Sequence, residues 1–307
     1  MQEFVQQLIN GLSVGSIYAL IAVGYTMVYG VLQLINFAHG DVFMVGAILT
    51  LVLARAFGWI GIESWWAFGA CAALSVIACG IVGFVIERFA YRPLRDKPRI
   101  NSLIAAIGIS LLLEYGGQHP KVFGPTPQPF PTAMLPGIGA NLPVISGLII
   151  SRVDALVLIV TLVLMATLTY IVLKTKTGLA LRAVSFRFDT AALMGINIDR
   201  IISFTFILGS CLAAIAGILY AVKYPKVEPL MGLLPGVKAF VAAVFGGIGN
   251  IAGAVLGGII LGLVEVLVVG YLPNGSQYRD GIAFVILIVI LLVKPSGLLG
   301  KHVVEKV

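Results

Sequence analysis

A short polar stretch near residue 36 separates two long apolar runs, and its side chains are of types that could bind or conduct a polar solute. Asn36, His39 and Asp41 lie between two apolar stretches, with Gly40 among them. Amide, imidazole and carboxylate side chains cost free energy inside a bilayer unless they lie at its boundary or line a wet path. The break therefore indicates a membrane protein, and it makes Asn36, Gly40 and Asp41 candidate residues of a translocation pathway.

A second break falls in the glycine-rich stretch GGIGN, residues 246–250, inside another long apolar segment. Irregular backbone at membrane depth is tolerated where protein buries it or a cavity wets it. Further pathway candidates are therefore Gly246, Gly247, Gly249 and Asn250. The glycines that follow, including Gly258 and Gly262, are four residues apart, and this spacing predicts close helix packing.

The composition requires lipid as the solvent for these segments. Of 307 residues, 60% are hydrophobic and 11% are charged, whereas soluble domains carry about 25% charged residues. The apolar character extends along the whole chain, so we predict a single, all-α, polytopic transmembrane domain over residues 1–307. The net charge of +7 fits basic residues beside membrane spans. No basic groove with interleaved aromatics is evident, so nucleic-acid binding is not expected.

Eight apolar segments are long enough to cross roughly 30 Å of hydrocarbon. They lie at about 5–34, 42–60, 66–87, 100–115, 153–173, 201–222, 237–271 and 281–293. Lysines and arginines cluster between the third and fourth segments, at about 174–200 and at the C-terminus. The positive-inside rule places these regions in the cytoplasm and the N-terminus outside.

This orientation requires the segment 237–271 to cross the membrane an even number of times. Its 35 residues reach only roughly 50 Å as a helix, which is short for two full spans. We therefore predict a re-entrant or broken pair of half-helices hinged at 246–250.

Two links between the spans have distinctive compositions. The link at about 174–200 combines basic residues, an acid and apolar positions, which is typical of a helix that lies on the bilayer or docks to a cytoplasmic partner. Asp189 or Thr190 could cap this helix, and Gly195 could end it. The loop at about 116–150, predicted to be extracytoplasmic, holds seven prolines, which predicts an ordered or polyproline-like loop without a long helix.

No catalytic or metal-binding constellation is evident, so we expect no enzyme activity, no cofactor and no metal. Buried carboxylates, which a proton- or sodium-coupled carrier needs, are few, and Glu265 is the deepest in a span. Gly300-Lys301 is followed by His302, so it does not form a P-loop. Any ATP-driven work would need ATP on another chain.

Five stretches together resemble the permeases of branched-chain amino acid ABC transporters, the LivH type. They are GSIYALIAVGYTMVYGVLQLINFAHGD (15–41), ERFAYRPLR (87–95), TGLALRAVSFRFDTAALMGINIDR (177–200), KAFVAAVFGGIGNIAGAVLGGIILGLVE (238–265) and KPSGLLG (294–300). The resemblance extends from end to end of the chain with similar spacing.

The resemblance implies a multi-pass subunit of the bacterial inner membrane that imports branched-chain or related apolar amino acids. Its partners would be a second, homologous permease, two cytoplasmic ATPases and a periplasmic substrate-binding protein. The segment 177–200 corresponds to the coupling loop of the family. Residues that match the family pattern there are Arg182, Ala183, Ala191 and Gly195, and with Asp189 they are the candidates for ATPase coupling.

Two features limit what the resemblance implies. The stretch Ala191–Gly195 is one residue shorter than the general importer pattern and lacks its leading Glu, so contacts from other importer types do not transfer. Related permeases carry urea or short amides, which leaves such a permease as an alternative. A secondary carrier or channel that works alone is another.

Overall fold

The computed structural model describes residues 2–95, 97–142, 148–294 and 296–300, which form an α-helical bundle. The helices are α1 (Gln2–Leu32), α2 (His39–Ala56), α3 (Trp65–Ile86), α4 (Arg99–Gln118), α5 (Arg152–Lys174), α6 (Lys176–Phe186), α7 (Phe188–Leu193), α8 (Ile198–Lys223), α9 (Leu233–Gly246), α10 (Ile251–Tyr271) and α11 (Gly275–Val293). A π turn, Glu87–Tyr91, and a 3₁₀ turn, Arg92–Leu94, extend α3. The two-residue strands β1 (Gln128–Pro129) and β2 (Lys226–Val227) pair antiparallel.

Eight of these helices are long and apolar enough to cross a membrane, which confirms the prediction of a polytopic all-α membrane protein. They correspond one for one to the predicted segments, and the predicted segment 237–271 contains the shorter α9 as well as α10. The innermost span is α1, because 94% of its most apolar window is buried in the bundle, against 6% for α11. The first apolar segment therefore forms the core that the later helices surround.

Glycines on two faces of α10 bring neighbouring helix backbones into contact. A Cβ added to Gly262 would lie 2.3 Å from the Cα of Gly15 in α1, and Gly258 is equally close to that helix. On the other face, a Cβ added to Gly257 would lie 2.1 Å from the carbonyl oxygen of Ala242 in α9. The prediction that these glycines serve close packing is confirmed, because any larger side chain would separate the helices.

The predicted break at 246–250 is confirmed and forms the turn of a helix hairpin. The φ angles of Gly247 and Gly249 are 105° and 90°, values that glycine adopts without the steric cost of a Cβ. α9 and α10 run antiparallel, because Gly246 packs against Gly253 beside the turn and both helices continue away from it. A backbone that reverses here needs the two left-handed glycines.

The prediction of two half-helices is right for α9 and wrong for α10. The 14 residues of α9 extend roughly 21 Å, whereas the 21 residues of α10 extend roughly 32 Å, enough to cross the hydrocarbon. The error arose because apolar composition alone does not show how a turn divides a segment. The hairpin consists of one short helix packed against one full span.

The two basic links meet at one end of the bundle, which we call the link end. Arg92 and Arg95, just beyond α3, both pair with Asp199 at the start of α8, and Arg95 Nη1 lies 2.6 Å from Asp199 Oδ1. Arg95 also pairs with the fully buried Glu87. α6 and α7 join α5 to α8 at this same end, as the predicted topology requires.

The opposite end, which we call the loop end, carries the strand pair and the proline-rich loop. The described residues of that loop beyond α4, 119–142 and 148–151, contain no long helix, in agreement with the prediction. Pro143 of this loop lies outside the described residues, as do Lys301 and Lys306 of the predicted cytoplasmic C-terminus.

Candidate functional site

The polar break after α1 is buried, and its residues contact the turn beyond α3 and the start of α9. Asn36 is 3% exposed, and the Tyr91 hydroxyl donates to its Oδ1 at 3.1 Å. A Cβ added to Gly40 would lie 2.9 Å from the carbonyl oxygen of Gly232 and 3.1 Å from the Cα of Gly236. The start of α2 therefore packs directly on the first turn of α9.

Three buried polar atoms near this break have no hydrogen-bond partner in the part of the chain that the structure describes. They are Thr26 Oγ1, His39 Nε2 and Asp41 Oδ2. The His39 ring lies against Tyr25, with ring centroids 4.6 Å apart. Because buried polar groups are normally hydrogen-bonded, this cluster has donor and acceptor capacity that water or a polar solute could use.

The glycine-rich turn, the other group of pathway candidates, packs against the tail that follows α11. The Leu298 and Leu299 amides donate to carbonyl oxygens at the end of α9, at 2.9 and 3.0 Å. Asn250 Nδ2 donates to the Leu299 carbonyl at 2.9 Å, and Asn250 Oδ1 accepts from the Gly253 amide at 3.2 Å, capping α10. A Cβ added to Gly247 would lie 2.5 Å from the Gly300 nitrogen.

The structure does not bring the two groups of pathway candidates together. Gly40 contacts the first turn of α9, whereas Gly246 is the last residue of that helix and Gly247 is its C-cap. Gly249 is exposed and has Gly30 of α1 as its nearest neighbour. The first group is thus a buried polar cluster, and the second is a packed turn.

The link between α5 and α8 folds into two short helices with one buried and one exposed face. Leu181 and Val184 of α6 are buried. The large apolar side chains of Phe186, Leu193 and Met194 are 86%, 88% and 77% exposed. An exposed apolar surface of this kind marks a site that contacts another protein or lipid.

The five candidate coupling residues are spread over both helices. Arg182, Asp189 and Gly195 are exposed, Ala183 is half-buried, and Ala191 is 3% exposed. The alanines therefore face the bundle while the charged residues face away from it.

The capping prediction for this link is half right. Gly195 follows α7 with a φ of 78°, so it ends the helix as predicted. Arg187, not Asp189 or Thr190, occupies the N-cap position of α7, and no side chain caps it. Asp189 falls instead in the first turn, where its carboxylate faces the positive end of the helix dipole.

A charged cavity at the loop end was not predicted from the sequence. Its volume is about 570 Å³, and its lining includes Asp154, Lys223, Glu265 and Arg279. Glu265 and Asp154 stand out in the sequence as isolated carboxylates, but their cationic partners lie in other helices. No local pattern identifies such partners.

The chain matches known proteins over nearly its whole length. The family model described as "Branched-chain amino acid transport system / permease component" matches residues 7–291. The high-affinity branched-chain amino acid transport system permease protein LivH of Salmonella typhimurium and that of Escherichia coli K12 are each 40% identical, covering 99% of this chain and 98% of theirs.

The corresponding permease protein BraD of Pseudomonas aeruginosa is 42% identical, with the same coverage of both chains. No solved structure matches the chain. Together with the eight described helices that are long and apolar enough to cross a membrane, these similarities show that the chain is a multi-pass membrane protein of the branched-chain amino acid transport system permease family.

Proposed function

We propose that this chain is the translocation subunit of an ABC importer in the bacterial inner membrane, and that it carries branched-chain or related apolar amino acids. Full-length similarity to permeases named for that substrate supports the assignment. The structural observation that carries the proposal is the exposed surface of α6 and α7 at the link end, which no other described residue of the chain covers.

The expected occupants of that surface are cytoplasmic ATPases, two for each pair of permeases. A second, homologous permease would complete the membrane-spanning unit, and a periplasmic binding protein would deliver the substrate at the loop end. The three exposed coupling candidates, Arg182, Asp189 and Gly195, would contact the ATPase, while Ala183 and Ala191 would let α6 and α7 lie close to the bundle.

Movement of α6 would be transmitted to the bundle because α6 is joined rigidly to α5. Only Thr175 separates the two helices. Its hydroxyl donates to the Ile171 carbonyl at 2.5 Å and accepts from the Gly178 amide at 3.1 Å. A Cβ added to Gly178 would lie 2.2 Å from the same Ile171 carbonyl oxygen. ATP binding that displaces α6 would thus tilt α5 rather than bend a loop.

The substrate path is proposed to pass the buried polar cluster around Asn36, Gly40 and Asp41. Its unpartnered atoms supply the polar contacts that a zwitterion needs on leaving water. The glycine-rich turn from Gly246 to Asn250 is proposed to shape the path from outside it, by fixing how α9 packs on the start of α2.

Coupling can be tested by comparing two exposed arginines at opposite ends of the bundle. The chain would be co-purified with its partners, reconstituted in liposomes and assayed for ATP-dependent leucine uptake. Arg182→Glu should lose most uptake at equal complex content, because charge reversal opposes ATPase contact. Arg55→Glu, which is exposed at the end of α2, should retain it. Unchanged uptake with Arg182→Glu would refute the coupling role.

The same preparation tests the alternatives. A secondary carrier or channel would transport leucine in liposomes that contain this chain without ATPases, and the proposal requires that it does not. A permease for urea or short amides would show uptake that excess urea or acetamide inhibits, whereas the proposal requires inhibition by isoleucine and valine.

A further inference from the structure

The loop-end cavity lies far from the coupling surface. It is bordered by the beginnings of α1 and α5 and by the ends of α8 and α10, together with α11. α6 and α7 are attached to the other ends of α5 and α8. Since α5 has 23 residues, the two sites are roughly 35 Å apart. The cavity volume of about 570 Å³ is typical of small-molecule sites.

Six charged side chains, three of each sign, form ion pairs at this cavity, and four of them line it. Lys223 pairs with Asp154 and donates to the Ser13 hydroxyl at 3.0 Å. Lys238 Nζ lies 3.1 Å from Glu265 Oε1 and 2.5 Å from Asp280 Oδ1. Arg279 of α11 is the sixth of these residues, and it pairs with the same Glu265 oxygen. The formal charges therefore cancel.

This pairing leaves one carboxylate oxygen of Glu265 and the two terminal nitrogens of Arg279 without a partner among the described residues. Glu265 is 2% exposed, and its Oε1 accepts from Lys238, from the Tyr18 hydroxyl at 3.2 Å and from Arg279 Nε. Glu265 Oε2 is buried without a partner among the described residues. Arg279 bonds described residues only through Nε, so its two terminal nitrogens are available to a carboxylate.

The remaining lining combines aliphatic side chains with the polar Gln7, Asn10, Ser151 and Tyr224. Val14, Val153, Val266 and Val269 line the cavity together with the charged residues. A ligand that fits this combination has a carboxylate for the free guanidinium fork, an ammonium for the free carboxylate oxygen and an aliphatic side chain for the valines. An α-amino acid with a branched aliphatic side chain has these three parts.

We propose that the loop-end cavity is a binding site within this subunit for the zwitterion of an aliphatic amino acid. Arg279 and Lys223 bind the substrate carboxylate, and Glu265 and Asp154 bind its ammonium group. The site rests on the proposed function, since it takes the same substrate class. It adds an acceptor site at the mouth of the path, before the buried polar cluster.

Cysteine protection tests the site directly. Cys71, Cys79 and Cys211 would be replaced, and Val269→Cys introduced in the assembled transporter without its binding protein. Val269 lines the cavity and is 42% exposed, so a maleimide should label the new thiol. Leucine should slow this labelling, whereas leucinol and isovalerate, which each lack one charge, should not at equal concentration. The control is Val122→Cys, exposed at the loop end outside the cavity, which leucine should not protect.

Charge variants sharpen the test in the same background. Arg279→Gln should raise the leucine concentration for half-protection roughly tenfold, the effect of losing one charge-assisted hydrogen bond. Arg152→Gln should leave it unchanged, because Arg152 is exposed and does not line the cavity. Should Arg279→Gln fail to assemble, the leucine and leucinol comparison still decides the matter.

The proposal is overturned if the Val269→Cys thiol does not react, or if leucine fails to protect it at concentrations that saturate ATP-driven uptake. Failure of the proposed function gives a different result, namely no ATP-driven leucine uptake by the wild-type complex. Protection that leucine and leucinol share would likewise overturn the zwitterion site, since the carboxylate would then make no contribution.

Discussion

α10 and the α6–α7 link differ in where their interaction partners lie. Both small-residue faces of α10 pack on other helices of the same chain. The buried Glu265 of α10 accepts hydrogen bonds from three side chains of that chain. In the link, by contrast, Phe186 and Leu193 are almost fully exposed. Within the part of the chain that the structure describes, the membrane hairpin is therefore packed on neighbouring helices, whereas the link surface is uncovered.

Because of this difference, we expect substitutions in the two regions to affect different properties, the stability of the chain in α10 and coupling to ATPases in the link. Substitutions in α10 should change the free energy of unfolding of the chain, because its contacts are internal. Substitutions on the exposed face of α6 and α7 should leave that free energy unchanged and reduce transport. The following four changes are ordered by their expected effect on stability.

Glu265→Leu should cause the largest loss, about 3–5 kcal/mol in the free energy of unfolding, because the buried Lys238 and the half-buried Arg279 then lose their shared carboxylate. The measurement is unfolding of the purified chain in mild detergent. The double variant Glu265→Leu with Arg279→Leu should lose less than the two single variants together, since the two residues interact directly. Additive losses would show that the pair has no coupling energy.

Gly262→Ala should destabilise by about 1–3 kcal/mol, because its Cβ forces the backbones of α1 and α10 apart. The midpoint of thermal unfolding in detergent reports this loss. Gly108→Ala in α4 is the matched control, since a Cβ at Gly108 has open space around it. Equal midpoints for both variants would contradict close packing of α1 on α10.

Asn250→Ala should cost about 1 kcal/mol, because α10 loses its N-cap. The same substitution removes the side-chain bond to the Leu299 carbonyl, so the tail after α11 should become more susceptible to carboxypeptidase. Asn101→Ala, exposed within α4 and without a capping role, is the control. A tail equally resistant in both variants would count against the anchoring role of Asn250.

Leu193→Ser should change the free energy of unfolding by less than about 0.5 kcal/mol, because the side chain is 88% exposed. ATP-dependent leucine uptake should nevertheless fall, together with the amount of ATPase that co-purifies. Leu230→Ser, exposed at the loop end, should affect neither. Full uptake by Leu193→Ser would mean that this part of α7 does not contact the ATPase.

Local features of the sequence predicted much of the fold and the end of α7. Hydropathy gave the eight spans, because each must cover the hydrocarbon thickness with its own residues. Glycines predicted the turn at 246–250 and the end of α7 at Gly195, because a single glycine can adopt a positive φ angle whatever its tertiary contacts. The cap of α7 was mispredicted because Arg187, one position before the helix, takes the extended conformation.

Side-chain partners were decided only by the tertiary structure. Hydropathy marks Glu265 as buried, but Lys238 and Arg279 reach it from α9 and α11, 27 and 14 positions away. Asn36 and Asp41 are likewise polar residues at a break in sequence, and only the tertiary packing around that break buries them. The sequence by itself determined which segments lie in lipid, because transfer from water depends on composition. Which charges neutralise one another depends on distances between helices, and those distances are set by the packing of the whole bundle.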